Sequence, residues 1–117
     1  MIITRLVLTD AEKLRLWRKK NKLTQKELAD RFKRHQTTIS KMEKGLIPVA
    51  ENVAQIVADV VVSDGARCSI LRRRYKKTLA EAAQETGVHE NMLSEMERGL
   101  RRPVSESYLI WLTKLAA

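Results

Sequence analysis

The sequence predicts an all-α fold built from two tandem four-helix units, and three observations lead there. The first is an internal repeat. Sliding the 117-residue chain by 54 positions aligns Arg18–Leu46 with Arg72–Leu100 without a gap. Eleven of the twenty-nine pairs are identical: Arg18/Arg72, Lys22/Lys76, Thr24/Thr78, Glu27/Glu81, Ala29/Ala83, His35/His89, Ser40/Ser94, Met42/Met96, Glu43/Glu97, Gly45/Gly99 and Leu46/Leu100. A self-match at fixed spacing marks one structural unit used twice. The second observation is a set of helix-start signals of the form Thr-x-x-Glu at Thr9, Thr24 and Thr78. In such a box the threonine and the glutamate each satisfy a backbone N–H at the helix N-terminus. The third is a helical spacing of apolar residues, as in Val53, Ile56, Val57, Val60 and Val61, which keep one face of a helix.

Each element follows from local chemistry. The box at Thr9 starts a helix near 10–21, and the box at Thr24 starts a short one near 25–32. A tight turn, Lys33-Arg34-His35, leads to a helix near 36–44, and Gly45 stands where a left-handed C-terminal cap is needed. Pro48 introduces a helix near 49–62. The second copy repeats this punctuation with a helix near 64–76, the box at Thr78, a turn at Gly87-Val88-His89, a helix over Glu90–Arg98 and its cap Gly99. Ser105 begins a last helix carrying Leu109, Leu112 and Leu115. Residues 2–8, with Ile2, Ile3, Leu6, Val7 and Leu8, carry strand propensity and leave room for one short N-terminal strand, which would pair across a dimer. The domain boundary falls at 62/63, with residues 1–8 as an extension of the first unit.

Composition bounds the function. The chain carries a formal charge of +9 with a pI near 10.1, so a polyanion is the first partner to consider. The single cysteine, Cys68, cannot close an intramolecular disulfide, and it aligns with Leu14 as a core position. The apolar start is broken by Arg5 and no long apolar run follows, which points away from a membrane and a secretory signal and toward the cytoplasm. No nucleophile–base arrangement, phosphate-cradling loop or carboxylate pair suggests catalysis, so the expectation is a non-enzyme without cofactor or small-molecule ligand. His35 and His89 have no second ligand at metal-binding spacing, and no metal site is expected.

Two short helices joined by a tight turn form a helix-turn-helix, whose second helix enters the DNA major groove. Leu23-Thr-Gln-Lys-Glu-Leu-Ala29, Thr38-Ile-Ser40 and Met42-Glu-Lys-Gly45 resemble the Cro/CI-type phage repressor family, also called the XRE family. The resemblance covers residues 14–58 well and 68–115 more loosely. It implies that Gln25 contacts the DNA backbone and braces the reading helix. It also implies that Gln36 and Thr37 occupy base-reading positions, with Thr38 and Lys41 further along the same face. The chemistry suits those roles, because Gln pairs bidentately with adenine, Lys donates to guanine and a Thr methyl touches a thymine methyl. Lys22, Lys26 and Lys44 lie where phosphates would pass. The resemblance further implies that a glutamate of the motif pairs with an arginine of the first helix, and Arg18–Glu43 and Arg72–Glu97 repeat one separation twice. Lys33 departs from the family, which places glycine at that turn position.

The second copy changes the reading face. Gln25 becomes Leu79, Gln36 becomes Glu90, Thr37 becomes Asn91, Thr38 becomes Met92 and Lys41 becomes Glu95. Acids repel phosphates, and each lost cation removes its counterion-release gain. Leu79, Glu90, Met92 and Glu95 are therefore the candidate protein interface, and the second unit is expected to serve dimerisation or partner binding. Residues 63–117 still carry ten Lys+Arg against seven Asp+Glu, +3, beside thirteen against seven, +6, in residues 1–62. The arginine run 72–74 with Lys76 and Lys77 keeps open a pseudo-dimer in which both units dock on DNA. The expected whole is a homodimeric repressor or autorepressor of phage or mobile-element type on a palindromic double-stranded operator. An antitoxin-like interaction module is the alternative.

Overall fold

The structure is a computed structural model that describes residues 2–117. Among these residues it is helical throughout, with no strand: a 3-10 turn at Ile2–Arg5 precedes α1 (Asp10–Lys20), α2 (Gln25–Phe32), α3 (Gln36–Glu43), α4 (Glu51–Val57), α5 (Asp64–Arg74), α6 (Leu79–Thr86), α7 (Glu90–Glu97) and α8 (Glu106–Ala116). The three Thr-x-x-Glu boxes close in both directions: Thr9 with Glu12, Thr24 with Glu27 and Thr78 with Glu81. Thr24 Oγ1, for example, accepts from the Glu27 N–H at 3.1 Å while Glu27 Oε1 accepts from the Thr24 N–H at 3.0 Å. Those backbone and hydroxyl donors favour the ionised carboxyl, so the pKa values of Glu27 and Glu81 lie below the ordinary glutamate value.

The chain divides into two compact units, one spanning Val7–Val61 and the other joining residues 2–6 to Val62–Ala117. The core of the first contains Leu14, Leu28, Ala29, Ile39, Met42, Val53 and Val57. The core of the second contains Ile3, Cys68, Leu71, Ala82, Leu93, Met96, Tyr108, Trp111 and Leu112. At the repeat spacing, one residue longer beyond Leu100, these cores correspond: Leu14 with Cys68, Leu28 with Ala82, Ile39 with Leu93, Met42 with Met96, Val53 with Tyr108 and Val57 with Leu112. The second core trades aliphatic volume on α5 and α6 for aromatic volume on α8. It also admits α5 unusually close to α7. A Cβ placed on Gly65 would lie 1.9 Å from the Met96 carbonyl oxygen, so only glycine fits there.

Four expectations are corrected. Residues 2–8 form no strand: Ile2–Arg5 is a 3-10 turn, and Ile3 is buried in the second core. The Arg67 guanidinium holds that segment by donating to the Leu6 and Ile3 carbonyls at 3.0 and 3.4 Å, which satisfies backbone acceptors that a strand would have used in a sheet. Residues 2–6 consequently pack with the second unit, whereas the sequence pattern assigned them to the first. The fourth helix is shorter than its apolar pattern, ending at Val57 rather than near 62. Val60, Val61 and Val62 follow in succession, and β-branched side chains propagate a helix poorly. Ile56 and Val61, expected on the buried face, are exposed.

Candidate nucleic-acid interface

The first unit's site rests on a buried charge pair. Arg18 on α1 meets Glu43 at the end of α3 through two parallel bonds, Nε to Oε2 at 2.6 Å and Nη2 to Oε1 at 3.0 Å. Its remaining arm donates to the Leu23 carbonyl at 3.0 Å, so one guanidinium fixes α3 and the α1–α2 turn together. Glu43 is nearly inaccessible, and losing either partner would strand a desolvated charge. Gln25 at the start of α2 adds a third donor, Nε2 to Glu43 Oε1 at 3.2 Å. Its amide nitrogen is thereby turned inward, and the side chain connects the ion pair to the protein surface.

The α2–α3 turn follows from Lys33, whose left-handed backbone (φ 52°, ψ 46°) reverses the chain in the place where the second unit has Gly87 (φ 75°). His35 then caps α3, its Nδ1 accepting from the Thr37 N–H at 3.4 Å. Ile39 and Met42 anchor the inner face of α3 in the core. Gln36, Thr37 and Lys41 are exposed on the outside, and Thr38 is half-buried. Lys22, Lys26 and Lys44 are exposed on the turn before α2, on α2 and just after α3. The arrangement is a rigidly seated helix with polar donors and acceptors outward and lysines on its flanks.

Residues 14–60 match the family described as helix-turn-helix. They form a DNA-binding helix-turn-helix unit of the XRE, Cro/CI type. The match spans α1 from Leu14 through α4 and ends before α5. Comparison of the chain with curated proteins and with solved structures gives no match. No described helix is long and apolar enough to cross a membrane.

Outside the XRE match, α5–α8 rebuild the same internal joint with one part replaced. Arg72 and Glu97 pair at 2.8 and 2.9 Å, and Arg72 donates to the Lys77 carbonyl at 2.6 Å. Leu79 cannot act as Gln25 does. Instead the Tyr108 hydroxyl on α8 donates to Glu97 Oε2. Burial, then the charge of Glu97 and its hydrogen bond, raise the Tyr108 pKa, so the phenol stays a donor. The hydrogen bond to Glu97 is the leading cause of a raised Arg72 pKa. The pattern reading missed Tyr108. A signal for it existed: the residue that loses its donor, Leu79, coincides with the one aromatic residue aligned with a core valine, Val53.

On the outer face of the second unit, Glu90, Asn91 and Met92 are exposed. Glu95 is half-buried and pairs with Arg101 at 3.4 Å. Leu79 is also half-buried and packs against the second core, so part of its apolar surface is accounted for inside the unit. His89 caps α7 as His35 caps α3, Nδ1 accepting from the Asn91 N–H at 3.1 Å. A cap at the same position in both copies accounts for the repeated histidine without a metal. Cys68 is fully buried, and desolvation raises its pKa to about 12, which keeps the thiol protonated and unreactive.

Proposed function

We propose that this chain is a sequence-specific transcriptional repressor or autorepressor that reads the major groove of double-stranded DNA with α3. The observation that supports this best is the division of α3: Ile39 and Met42 are buried, while Gln36, Thr37 and Lys41 stand exposed between the flanking lysines. In this reading Gln36, Thr37, Thr38 and Lys41 contact base edges, and Gln25, Lys22, Lys26 and Lys44 contact phosphates. A palindromic operator needs two readers one helical turn apart, roughly 34 Å, so the repressor acts as a homodimer. Occupying a promoter blocks it sterically, with no cofactor or effector. Phage or mobile-element origin and a cytoplasmic, nucleoid-associated setting fit the XRE type of the first unit.

The second unit serves dimerisation or partner binding in this reading. Met92, 37% exposed between Glu90 and Glu95, favours a protein contact at that face over base reading. An antitoxin-like role with a second protein is the alternative that the same face supports.

Selection of bound duplexes from a random pool tests the whole proposal, giving the site, its symmetry and its half-site spacing. Gln36→Ala should then cost roughly 1–3 kcal/mol and relax preference at one base pair. Unchanged specificity in that variant would remove α3 as the reader.

A further inference from the structure

Among the described residues six have a left-handed backbone: Gly45, Gly87 and Gly99, and the non-glycine residues Lys22 (φ 54°), Lys33 (φ 52°) and Lys76 (φ 56°). Glycine occupies this region without a Cβ clash, and asparagine tolerates it better than most residues. Lysine has no such advantage, yet it fills each of the three non-glycine positions. Strained backbone of this kind clusters at functional sites, so an observed outlier points to a role for the residue that carries it.

The lysine side chains do nothing visible for the fold. All three are exposed, and among the described residues none of them has a hydrogen-bond or ion-pair partner. The α1–α2 and α5–α6 turns are closed by backbone bonds, Leu23 N–H to the Arg18 carbonyl at 3.1 Å and Lys77 N–H to the Arg72 carbonyl at 3.2 Å. Each turn is pinned again by the buried guanidinium, through the Leu23 or the Lys77 carbonyl. Neither device uses the side chain at position 22 or 76.

The two units then differ in an informative way. At the turn before α7 the second unit has relieved the strain, with Gly87 in place of Lys33. At the turn before α6 it has not, and Lys76 matches Lys22 in identity, exposure and φ. The cation just after the reading helix is kept too, since Arg98 stands exposed where the first unit has Lys44. The second unit has lost the base-reading set, and with it the flanking Gln25 and Lys26, which become Leu79 and Ala80; the flanking cations it keeps are those at the positions of Lys22 and Lys44.

We propose that the second unit contacts the phosphate backbone of double-stranded DNA through Lys76, with Arg98 beside the α7 cap, and reads no bases. This rests on the DNA-binding reading of the first unit and adds to it a sequence-independent anchor on the same chain. Left-handed lysine is the mark of that contact in both units.

The test is equilibrium binding of the full chain to a mixed-sequence DNA duplex over a salt series, with thermal melts of each variant. Lys76→Gly and Lys76→Asn should each weaken binding to all sequences alike and reduce the slope of log affinity against log salt by about 0.9, one phosphate contact. Their melting temperatures should hold or rise, and Lys76→Arg should restore the slope. Lys22→Gly is the reference, with the same reduction expected. If Lys22→Gly lowers the slope and the Lys76 variants leave it unchanged, the second-unit anchor is overturned while the first unit's role stands. Lys76→Gly that lowers the melting temperature and leaves the slope intact overturns it as well, assigning the lysine to the helix end. A wild-type chain that binds no duplex removes both the anchor and the functional reading.

Discussion

Glu97 accepts from Arg72 and from Tyr108 in the second unit, while Glu43 accepts from Arg18 and Gln25 in the first. Each buried carboxylate thus has three donors, and the third differs in origin. Tyr108→Phe removes one hydrogen bond to a charged, desolvated acceptor and should destabilise the second unit by about 1.5–3 kcal/mol. A urea titration following that unit checks it. Gln25→Leu imposes the second unit's residue on the first without its compensating phenol, and a smaller loss is expected because Gln25 is half-exposed. Cys68 carries a pH consequence of definite sign. Its folded pKa is raised to about 12, above that of an unfolded thiol. The burial of the neutral thiol therefore contributes stability fully below about pH 8.5 and loses it as pH rises toward 12. A Cys68→Ala variant should show a flatter alkaline limb in the same titration. The arginine–glutamate separations were legible in the repeat, because equal spacing occurs twice. Tyr108 was legible only as an aromatic residue aligned with Val53 beyond the one-residue insertion; its bond to Glu97 required the folded α8.

Helix starts were the most legible elements, and the reason is local: a capping box closes within four residues and owes nothing to distant chain. Thr78→Ala should cost about 1 kcal/mol by freeing the N–H groups at the start of α6. Helix ends were less legible. The apolar pattern carried the fourth helix to 62, but α4 stops at Val57 because periodicity records which residues can face a core, not where the backbone turns away. The close approach of α5 to α7 belongs to this scale too. Gly65→Ala would drive a methyl to 1.9 Å from the Met96 carbonyl, so α5 must move or the unit must open. The expected loss is several times the usual cost or gain of a Gly-to-Ala change in a helix, which is below about 1 kcal/mol. Circular dichroism melts compared with Ala66→Gly, a buried neighbour without that clash, separate the two causes.

At the scale of the whole molecule, the chain begins in one unit, builds the other, and returns. Ile3 is 1% exposed in the second core, and Arg67 fastens the segment around it. Ile3→Ala should therefore destabilise the second unit by roughly 2–5 kcal/mol. Hydrogen exchange would show it as lost protection in α5 and α8, with α1–α4 unchanged. Protection lost evenly across the chain would contradict two separate cores.

The helical class, the helix starts and the polar set on α3 were legible in the sequence because each depends on neighbours within a few turns of chain, and the internal repeat was legible as a self-match at one spacing. The family match to residues 14–60 bears on that same local pattern. Tertiary structure decided where residues 2–6 belong, which residue replaces Gln25 beneath Glu97, and that three lysines hold a left-handed backbone. Those outcomes depend on which side chains meet across the core and on how tightly the turns must close. Spacing along the chain does not encode either one.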